Sequence, residues 1–241
     1  MEIKTIGTGS KGNCYILRSP GKHDLLLECG VKWEKVLDAF SHDIHALGGC
    51  LLTHEHGDHS KSIKKLLYNA KPVVCSHGTA EALEISHNPW CYELKQKEPK
   101  QFFGWNVTAY PAIHDAAEPF MYVISDGMDT LLFATDTAYI PYKFKGLTKM
   151  MVEANYAFEF INDSIADGDV LRSQKVRVVH SHMEIGTLEA WLKDLKEIGG
   201  LDKLKEIHLI HMSSYNGYPE EFMRRIEAVS GVPVYVKGEK R

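Results

Sequence analysis

Apolar side chains in this chain recur in short alternating or continuous runs, the pattern typical of β-strands. In the first half, such runs predict strands at residues 2–7, 13–19, 23–28, 49–52 and 72–76. Apolar residues at helical spacing predict helices at residues 32–40, from Ser60 onward and at residues 78–85. Residues 87–100 follow neither period and are predicted to be irregular.

The second half repeats this succession of strands followed by helices. Strands are predicted at residues 102–103, 105–113, 120–125, 130–134 and 150–153, then a mostly helical stretch at 158–175 and a short apolar run at 176–179. Helices predicted at residues 184–198 and 219–229 alternate with strands at 207–210 and 232–236. Two similar halves within one domain spanning residues 1–241 are therefore expected.

Composition narrows the classes of protein that fit this pattern. The chain has 241 residues, 44% of them hydrophobic and 25% charged, which is enough for a sizeable core. No apolar run approaches the roughly 20 residues of a membrane helix, and the N-terminus has the pattern of a strand, so neither a membrane span nor a signal peptide is expected. The five scattered cysteines favour reduced thiols and a cytoplasmic location. With a formal net charge of −4, nucleic-acid binding would require a local patch or bound metal ions.

The densest chemistry lies in residues 53–59, Thr-His-Glu-His-Gly-Asp-His, which we call the histidine loop. His54 and His56 are two residues apart and point the same way in an extended chain, and Asp58 and His59 follow a glycine that permits a sharp turn. Imidazole and carboxylate together suit a borderline divalent metal such as zinc, manganese or iron. One loop can thus supply two pairs of ligands to two ions. A chance cluster in a chain with 13 histidines is the alternative.

Further histidines and acids follow predicted strands elsewhere in the chain: His114, Asp136, His182 and His211. Taken singly, a histidine in such a position is more often a capped or solvated residue than a metal ligand. Ligand sites in layered folds nevertheless collect at strand ends. Together these residues are candidates to complete a two-metal centre.

The histidine loop followed in order by His114, Asp136 and His211 resembles the metallo-β-lactamase fold superfamily over nearly the whole chain. Shorter motifs resemble its YycJ/WalJ-type exonuclease branch, at residues 9–13, 111–119, 134–137, 153–156 and 181–183. This chain departs from the branch at Glu28, where an aspartate is usual, and at Glu184, where a serine is usual. The resemblance implies an α/β fold, a four-layer αββα sandwich with two mixed β-sheets flanked by helices.

The resemblance also implies a metal-dependent hydrolase with two divalent ions per chain, zinc or manganese, with iron as a further option. The ligands would be His54, His56 and His114 for one ion, and Asp58, His59 and His211 for the other, with Asp136 bridging both. A hydroxide bridged by the two ions would be the nucleophile.

Three residues are expected to act in catalysis: Asp58, Asp136 and His182. His182 would contact the scissile phosphate or protonate the leaving group, and His180 competes for this role because it lies on the same face if the segment is extended. Contacts with the substrate are expected from five loop residues: Lys11, Asn13, His180, Ser213 and Asn216. Glu153 is expected to orient a ligand histidine or to cap a turn.

The expected function is phosphodiester hydrolysis in nucleic acid, with DNA favoured over RNA and a 5′-to-3′ exonuclease as the form that the resemblance implies. The glycine-rich loop at residues 9–13 and the serines after His211 favour it. The acidic balance and Glu184 favour a small-molecule hydrolase instead, of the thioesterase or lactonase type. A binding protein with a vestigial site is a third option, against which the complete ligand set argues. The sequence leaves the oligomeric state open.

Overall fold

The computed structural model describes residues 1–159, 179–213 and 218–236. Its strands form two mixed β-sheets accompanied by helices, which confirms the predicted mixed α/β fold. The chain divides into two compact units. The first comprises Met1–Pro111 and Ala116–Asp129, and the second comprises Ala112–Asp115 and Thr130–Arg241. The organisation of the whole chain as a single domain stays a prediction.

The first unit contains a six-stranded sheet whose spatial order follows the chain order. Its strands are β1 (Glu2–Gly7), β2 (Cys14–Arg18), β3 (Asp24–Leu27), β4 (Leu47–Leu51), β5 (Val73–Cys75) and β6 (Cys91–Glu93). Strands β1 to β3 pair antiparallel, whereas β3 to β6 pair parallel. The segments that follow β3, β4, β5 and β6 therefore all leave the sheet at one edge, where ligand sites of such sheets form.

Four helices of the first unit connect these strands: α1 (Trp33–Ala39), α2 (Gly57–Ser60), α3 (Ile63–Tyr68) and α4 (His77–Ala82). Their apolar faces pack on the sheet, where Val36 of α1 and Leu66 of α3 join Ile16 and Leu26 in one buried cluster. Burying an aliphatic side chain of this size contributes about 1.5–3 kcal/mol. This core fixes the strand ends from which the functional loops emerge.

The first unit also contains three antiparallel strands, β7 (Lys100–Phe102), β8 (Trp105–Pro111) and β9 (Phe120–Ser125). Burial alternates along β8, where Trp105 and Val107 are buried and Asn106 between them is exposed. This is the period-two pattern of a strand with one covered face. Phe103, predicted to belong to a strand, instead lies in the turn after β7 at a φ of 53°.

The second unit contains four parallel strands, β10 (Thr130–Ala134), β11 (Lys149–Glu153), β12 (Glu206–Ile210) and β13 (Val234–Val236). Its helices are α5 (Ile185–Glu197) and α6 (Pro219–Ser230). Arg225 of α6 forms a two-pronged ion pair with Glu189 of α5, with nitrogen–oxygen distances of 2.8 and 3.0 Å. The predicted bounds of both helices agree with the structure to within one residue.

Two further sequence predictions are wrong. Residues 91–93 form strand β6, although residues 87–100 were expected to be irregular. Three residues are too few to show a strand period in the sequence, and it is the pairing with β5 that makes them a strand. Residues 179–181 are helical, so His182 does not follow a strand. Residues 158–159, at the start of the helix predicted for residues 158–175, are helical. The rest of that prediction, and the apolar run at 176–179 except for Val179, fall on residues 160–178, which lie outside the described part of the chain.

The cysteines agree with the prediction of reduced thiols. Cys14, Cys29, Cys50 and Cys75 are buried, Cys91 is half-buried, and all five are free. Within the described parts of the chain, no helix has the length and apolar character that a membrane crossing requires.

Candidate metal centre

The histidine loop leaves the carboxyl end of β4 in the first unit and enters α2. The ring of His54 lies 4.7 Å from the ring of His56 and 4.2 Å from the ring of His59, measured between centroids. The backbone N–H of His59 donates to the carbonyl of His56 at 2.9 Å, which starts the helix. Gly57 is the first residue of α2 and has a negative φ, so the turn does not depend on a left-handed glycine. Three imidazoles are thus gathered by one loop.

Glu28, at the end of β3, holds the beginning and the end of the histidine loop. Its carboxylate accepts the backbone N–H of Thr53 at 3.3 Å and lies 3.6 Å from Nδ1 of His59. Glu28 is fully buried and has a φ of 64°, a left-handed conformation that non-glycine residues adopt at a cost. The larger acid thus stands where the resembled family usually has aspartate, and it contacts the loop from the neighbouring strand.

Gly30 allows the histidine loop to approach the chain after β3. A Cβ atom at this position would lie 1.6 Å from the carbonyl oxygen of Asp58. Next to it, the backbone N–H of Cys29 donates to the carbonyl of His59 at 2.8 Å. Any side chain at residue 30 would therefore push the start of α2 away from the sheet.

Asn13, the last residue of the glycine-rich loop, contacts the histidine loop. Its side-chain amide Nδ2 lies 3.1 Å from Nε2 of His59 and donates to the carbonyl of Asp58 at 3.4 Å, while its Oδ1 accepts the N–H of Gly9 at 2.8 Å. The residue is fully buried. Its side chain fixes the glycine-rich loop against Asp58 and His59, and the substrate contact predicted for Asn13 stays a prediction.

In the second unit, one carboxylate organises the cluster at the ends of the parallel strands. Oε1 of Glu153 lies 2.7 Å from Nδ1 of His182 and 2.9 Å from Nδ1 of His211, and it accepts the Asn155 amide at 3.1 Å. Oε2 accepts the backbone N–H groups of Thr137 and Met183 at 3.1 and 3.2 Å. As predicted for Glu153, it orients histidines, and it does so for two of them.

Two other members of this cluster adopt strained backbone conformations. Asp136, just after β10, has a φ of 44°, and His211, just after β12, has a φ of 51°. Their side chains meet, with Nδ1 of His211 3.2 Å from Oδ1 of Asp136. Each left-handed non-glycine residue costs about 1–3 kcal/mol, a cost that persists where the surroundings hold it in place. The strain turns both side chains towards the same point.

His114 belongs to the same cluster. Its Nδ1 contacts the carbonyl of Ser181 at 2.9 Å, and its Nε2 lies 3.7 Å from Oδ2 of Asp136. The segment that carries it is held by the N–H of Ile113, which donates to the hydroxyl of Thr137 at 2.9 Å. Burial lowers the pKa of His114 below its ordinary value, so this ring is neutral and suited to bind a cation.

The ring of His182 and the carboxylate of Glu153 contact each other in the interior. Burial alone would lower the pKa of His182, but the Glu153 carboxylate at Nδ1 raises it above its ordinary value. Burial alone would likewise raise the pKa of Glu153, but His182 and His211 lower it. The Glu153 carboxylate therefore favours the imidazolium form of His182, and Nε2 of His182 is the ring nitrogen that remains for a substrate.

The donor chemistry of both clusters fits divalent metal ions. Three predicted histidine ligands have their Nδ1 atom in contact with a protein group. The hydroxyl of Thr53 lies 2.9 Å from Nδ1 of His54, and the Nδ1 contacts of His114 and His211 are those described above. Such contacts leave Nε2 as the remaining ring donor and fix its direction. In the second unit, ligand atoms of Asp136, Glu153, His182 and His211 all lie within 4.8 Å of one another. Mixed imidazole and carboxylate donors suit zinc, manganese or iron.

The remaining predicted substrate residues differ in their surroundings. Lys11 is exposed, and Ser213 is half-buried with its backbone N–H bound to the carbonyl of Asn155 at 2.9 Å. His180 is exposed whereas His182 is largely buried against Glu153, because residues two apart on a helix point in different directions. The segment is not extended, so the condition under which these two histidines would share a face is not met. Asn216 lies outside the described residues.

Several supporting residues were not recognised from the sequence. Thr53 contacts His54, the carbonyl of Ser181 contacts His114, and the amide of Asn155 donates to the carbonyl of His211 at 2.8 Å. Thr53 and Asn155 lie within the motifs that carry the family resemblance, so their motif positions were the available signal. The Ser181 contact uses a backbone atom and leaves no signal in the sequence.

Comparison with known proteins agrees with this geometry. The model of the β-lactamase superfamily domain matches residues 23–212. The chain is 28% identical over 234 residues to a protein of Bacillus anthracis named exodeoxyribonuclease YycJ, covering 91% of this chain and 85% of that protein. It is 23% identical over 229 residues to exodeoxyribonuclease WalJ of Streptococcus pneumoniae, covering 89% and 82%.

Among solved structures, the metallo-β-lactamase fold protein YhfI of Bacillus subtilis superposes with a TM-score of 0.75 at 17% identity. The superposition covers 99% of this chain and 97% of that chain. At this identity the likeness establishes the fold alone. It agrees with the two mixed sheets of the described residues.

Proposed function

The chain belongs to the β-lactamase superfamily and has its metal-dependent hydrolase fold, and from that premise we propose that it hydrolyses phosphodiester bonds in DNA. The observation that carries the proposal is the likeness to exodeoxyribonuclease YycJ over nine-tenths of the chain. A 5′-to-3′ exonuclease is the specific form of the proposal.

We propose that two divalent ions are held by the seven residues predicted from the sequence: His54, His56, Asp58, His59, His114, Asp136 and His211. Each unit, taken by itself, supports this proposal with a compact set of imidazole and carboxylate donors. When bound, such ions supply Lewis-acid charge that activates water and neutralises phosphoryl oxygens. Of these residues, Asp58 and Asp136 are the proposed catalytic carboxylates.

The third proposed catalytic residue, His182, handles the proton of the leaving group. Glu153 stabilises its imidazolium form and directs its Nε2 atom away from the carboxylate. An imidazolium in this state can donate its Nε2 proton to the departing alkoxide oxygen of a phosphodiester. Glu153 itself is a positioning residue, because its two oxygens are engaged by protein groups.

The alternative, a small-molecule hydrolase, loses one of its two arguments. Glu184 was expected to place negative charge near the substrate. Its Oε2 instead accepts the backbone N–H of Thr187 at 2.9 Å and caps the N-terminus of α5. A carboxylate at a helix N-terminus is stabilised there by the helix dipole, so Glu184 has a local structural role.

A panel of substrates tests the proposal. The purified chain, supplied with Mn²⁺ or Zn²⁺, is incubated with end-labelled single- and double-stranded DNA and RNA, with bis(p-nitrophenyl) phosphate and with a thioester. We expect DNA to be shortened from its 5′ end and the aryl phosphodiester to be hydrolysed. A thioester turned over with a higher kcat/KM than any nucleic acid would overturn the proposal.

The panel includes a variant that removes the proposed bridging carboxylate. Asp136→Ala should lose bound metal, measured by elemental analysis, and activity should fall at least about a hundredfold, since metal charge supplies several kcal/mol to the transition state. Asp202→Ala removes an exposed acid elsewhere in the second unit and should change neither quantity. Retention of two ions per chain by Asp136→Ala would contradict the bridging role.

A further inference from the structure

The stretch of the first unit from Trp90 to Phe102, which includes the outer strands β6 and β7, carries aromatic rings and lysines on exposed surface. Trp90 and Tyr92 are 38% and 42% exposed, and Phe102 of β7 is half-buried. The rings of Tyr92 and Phe102 contact each other edge-to-face with centroids 6.4 Å apart. We call this surface the aromatic–lysine strip, formed by Trp90, Tyr92, Phe102, Lys95, Lys97 and Lys100.

The strip leads towards the edge of the sheet at which the histidine loop lies. Strand β6 is parallel to β5, and β5 is parallel to β4, whose carboxyl end continues into the histidine loop. Neighbouring strands lie about 4.8 Å apart, so the end of β6 is two strand spacings from the end of β4. Extended chain from Trp90 to Lys95 covers about 17 Å, roughly the length of a few nucleotides.

The charge of the strip is positive on balance. Lys95, Lys97 and Lys100 are exposed, whereas the acids of the same stretch are Glu93 and Glu98. Glu93 is paired with His77, with its Oε2 atom 3.0 Å from Nδ1, and this carboxylate raises the pKa of His77. A positive surface next to exposed aromatic rings is complementary to a backbone of phosphates that carries unpaired bases.

Solvent-exposed aromatic rings are removed from water when a partner covers them with flat apolar faces. Single-stranded DNA supplies such faces in its bases, and its phosphates carry the negative charge that the lysines of the strip attract. A paired duplex keeps its bases stacked inside and would not use the rings. We therefore infer that the aromatic–lysine strip binds single-stranded DNA adjacent to the segment that is cleaved, an inference that rests on the proposed function.

Binding is tested with a fluorescein-labelled thymidine 20-mer and the full chain in EDTA, which prevents turnover, by fluorescence anisotropy. Tyr92→Ala and Phe102→Ala should each raise Kd at least about fivefold, because one stacked base contributes at least about 1 kcal/mol. Tyr92→Phe keeps the ring and should bind like the parent. Tyr68→Ala is the matched control, since Tyr68 is 88% exposed on α3, outside the strip.

The lysines are tested through the salt dependence of binding. Lys95→Gln should reduce the slope of log Kd against log salt concentration by about 0.7, the value of one phosphate contact on a single strand. Lys64→Gln, on the exposed face of α3, is the matched control and should leave the slope unchanged. An unchanged slope in Lys95→Gln would overturn the assignment of this lysine to the strip.

Turnover separates failure of this inference from failure of the proposed function. In Tyr92→Ala, kcat/KM on the thymidine 20-mer should fall at least about fivefold more than on bis(p-nitrophenyl) phosphate, which is too small to span the strip. If the parent degrades DNA and both alanine variants bind and cleave it equally well, the strip is overturned and the nuclease stands. If the parent neither binds nor cleaves DNA, both are overturned. Tenfold tighter binding of a uridine 20-mer would overturn DNA as the occupant.

Discussion

The two clusters of candidate ligands are built in different ways. In the first unit, the histidine loop brings its four ligands from six consecutive residues, 54–59, and its neighbours mainly hold the backbone of the loop. In the second unit, His114, Asp136 and His211 come from segments almost one hundred residues apart. There, a single buried carboxylate, Glu153, contacts side chains and backbone of several segments.

This difference teaches where each cluster is vulnerable. A loop whose ligands are consecutive in the chain keeps them near one another whenever the strand before it and the helix after it are formed. A cluster assembled from separate strand ends depends on the group that joins them. We therefore expect the second unit to be more sensitive than the first to loss of its central acid.

Replacement of Glu153 is expected to have the largest effect. Glu153→Ala leaves two histidines and two backbone N–H groups without their buried acceptor, which should lower the free energy of unfolding by about 3 kcal/mol. Turnover should fall as well, because His182 and His211 lose their orientation. Urea unfolding followed by circular dichroism measures the first quantity, and hydrolysis of bis(p-nitrophenyl) phosphate measures the second.

Glu28→Ala is the counterpart in the first unit. Glu28 accepts one backbone N–H and lies at a longer distance from its histidine, so the expected loss is about 1–2 kcal/mol. If Glu28→Ala destabilises the chain more than Glu153→Ala does, the contrast between the two clusters is wrong.

The next largest effect is expected from His182. His182→Ala should keep its bound metal but lower kcat about 10²- to 10⁴-fold, the range of a lost general acid. Metal content by elemental analysis and steady-state kinetics are the measurements. His180→Ala is the competing variant two residues away, and its rate should fall less than that of His182→Ala because the Glu153 carboxylate contacts His182. If His180→Ala is inactive and His182→Ala is active, His180 and not His182 is the catalytic histidine.

The smallest effect concerns an ion pair that touches neither cluster. The Arg225 guanidinium, bound through two hydrogen bonds, holds the pKa of Glu189 below its usual range. A depressed folded-state pKa stabilises the fold above the unfolded value of about 4.3, and this contribution is lost as pH falls through the folded value. Glu189→Gln should cost about 1 kcal/mol at pH 7.

Urea unfolding of parent and Glu189→Gln at several pH values measures this contribution. The difference between them should shrink steadily below about pH 4, while turnover at neutral pH should be equal in both. Because glutamine keeps the stem and removes only the charge, a difference that is constant down to the acid limit would contradict an ionic contribution of Glu189 to the contact of α5 with α6.

Much of the fold was predictable because its signals are local. Strand β10 and helix α5 have apolar runs of the right period, and α5 begins after a capping residue and ends where its apolar face ends. Strand β6 was missed because three residues carry no period, and only its pairing with β5 makes it a strand. The helical residues 179–181 were misassigned for a related reason, since a short apolar run does not distinguish helix from strand.

In the candidate site, too, the features with local sequence signals were predictable and those set by distant neighbours were not. The residue types and order of the predicted ligands come from motifs, and the sequence named Glu153 as an orienting acid. Burial of Asn13, the cap formed by Glu184 and the raised pKa of His182 come from neighbours distant in the chain. No period or motif encodes which distant groups surround a side chain.

By itself, the sequence determined the strands and helices with clear periods, the histidine loop with its metal-ligand chemistry, and the resemblance to a hydrolase superfamily. Only the tertiary structure decided that Glu153 joins His182 and His211, that Asp136 and His211 turn at left-handed backbone angles, and that the rings of Tyr92 and Phe102 meet. The physical reason is the distance along the chain over which each signal acts. Periodicity and spacing report on residues a few positions apart, whereas burial, proton affinity and backbone strain are set by groups that the fold brings together.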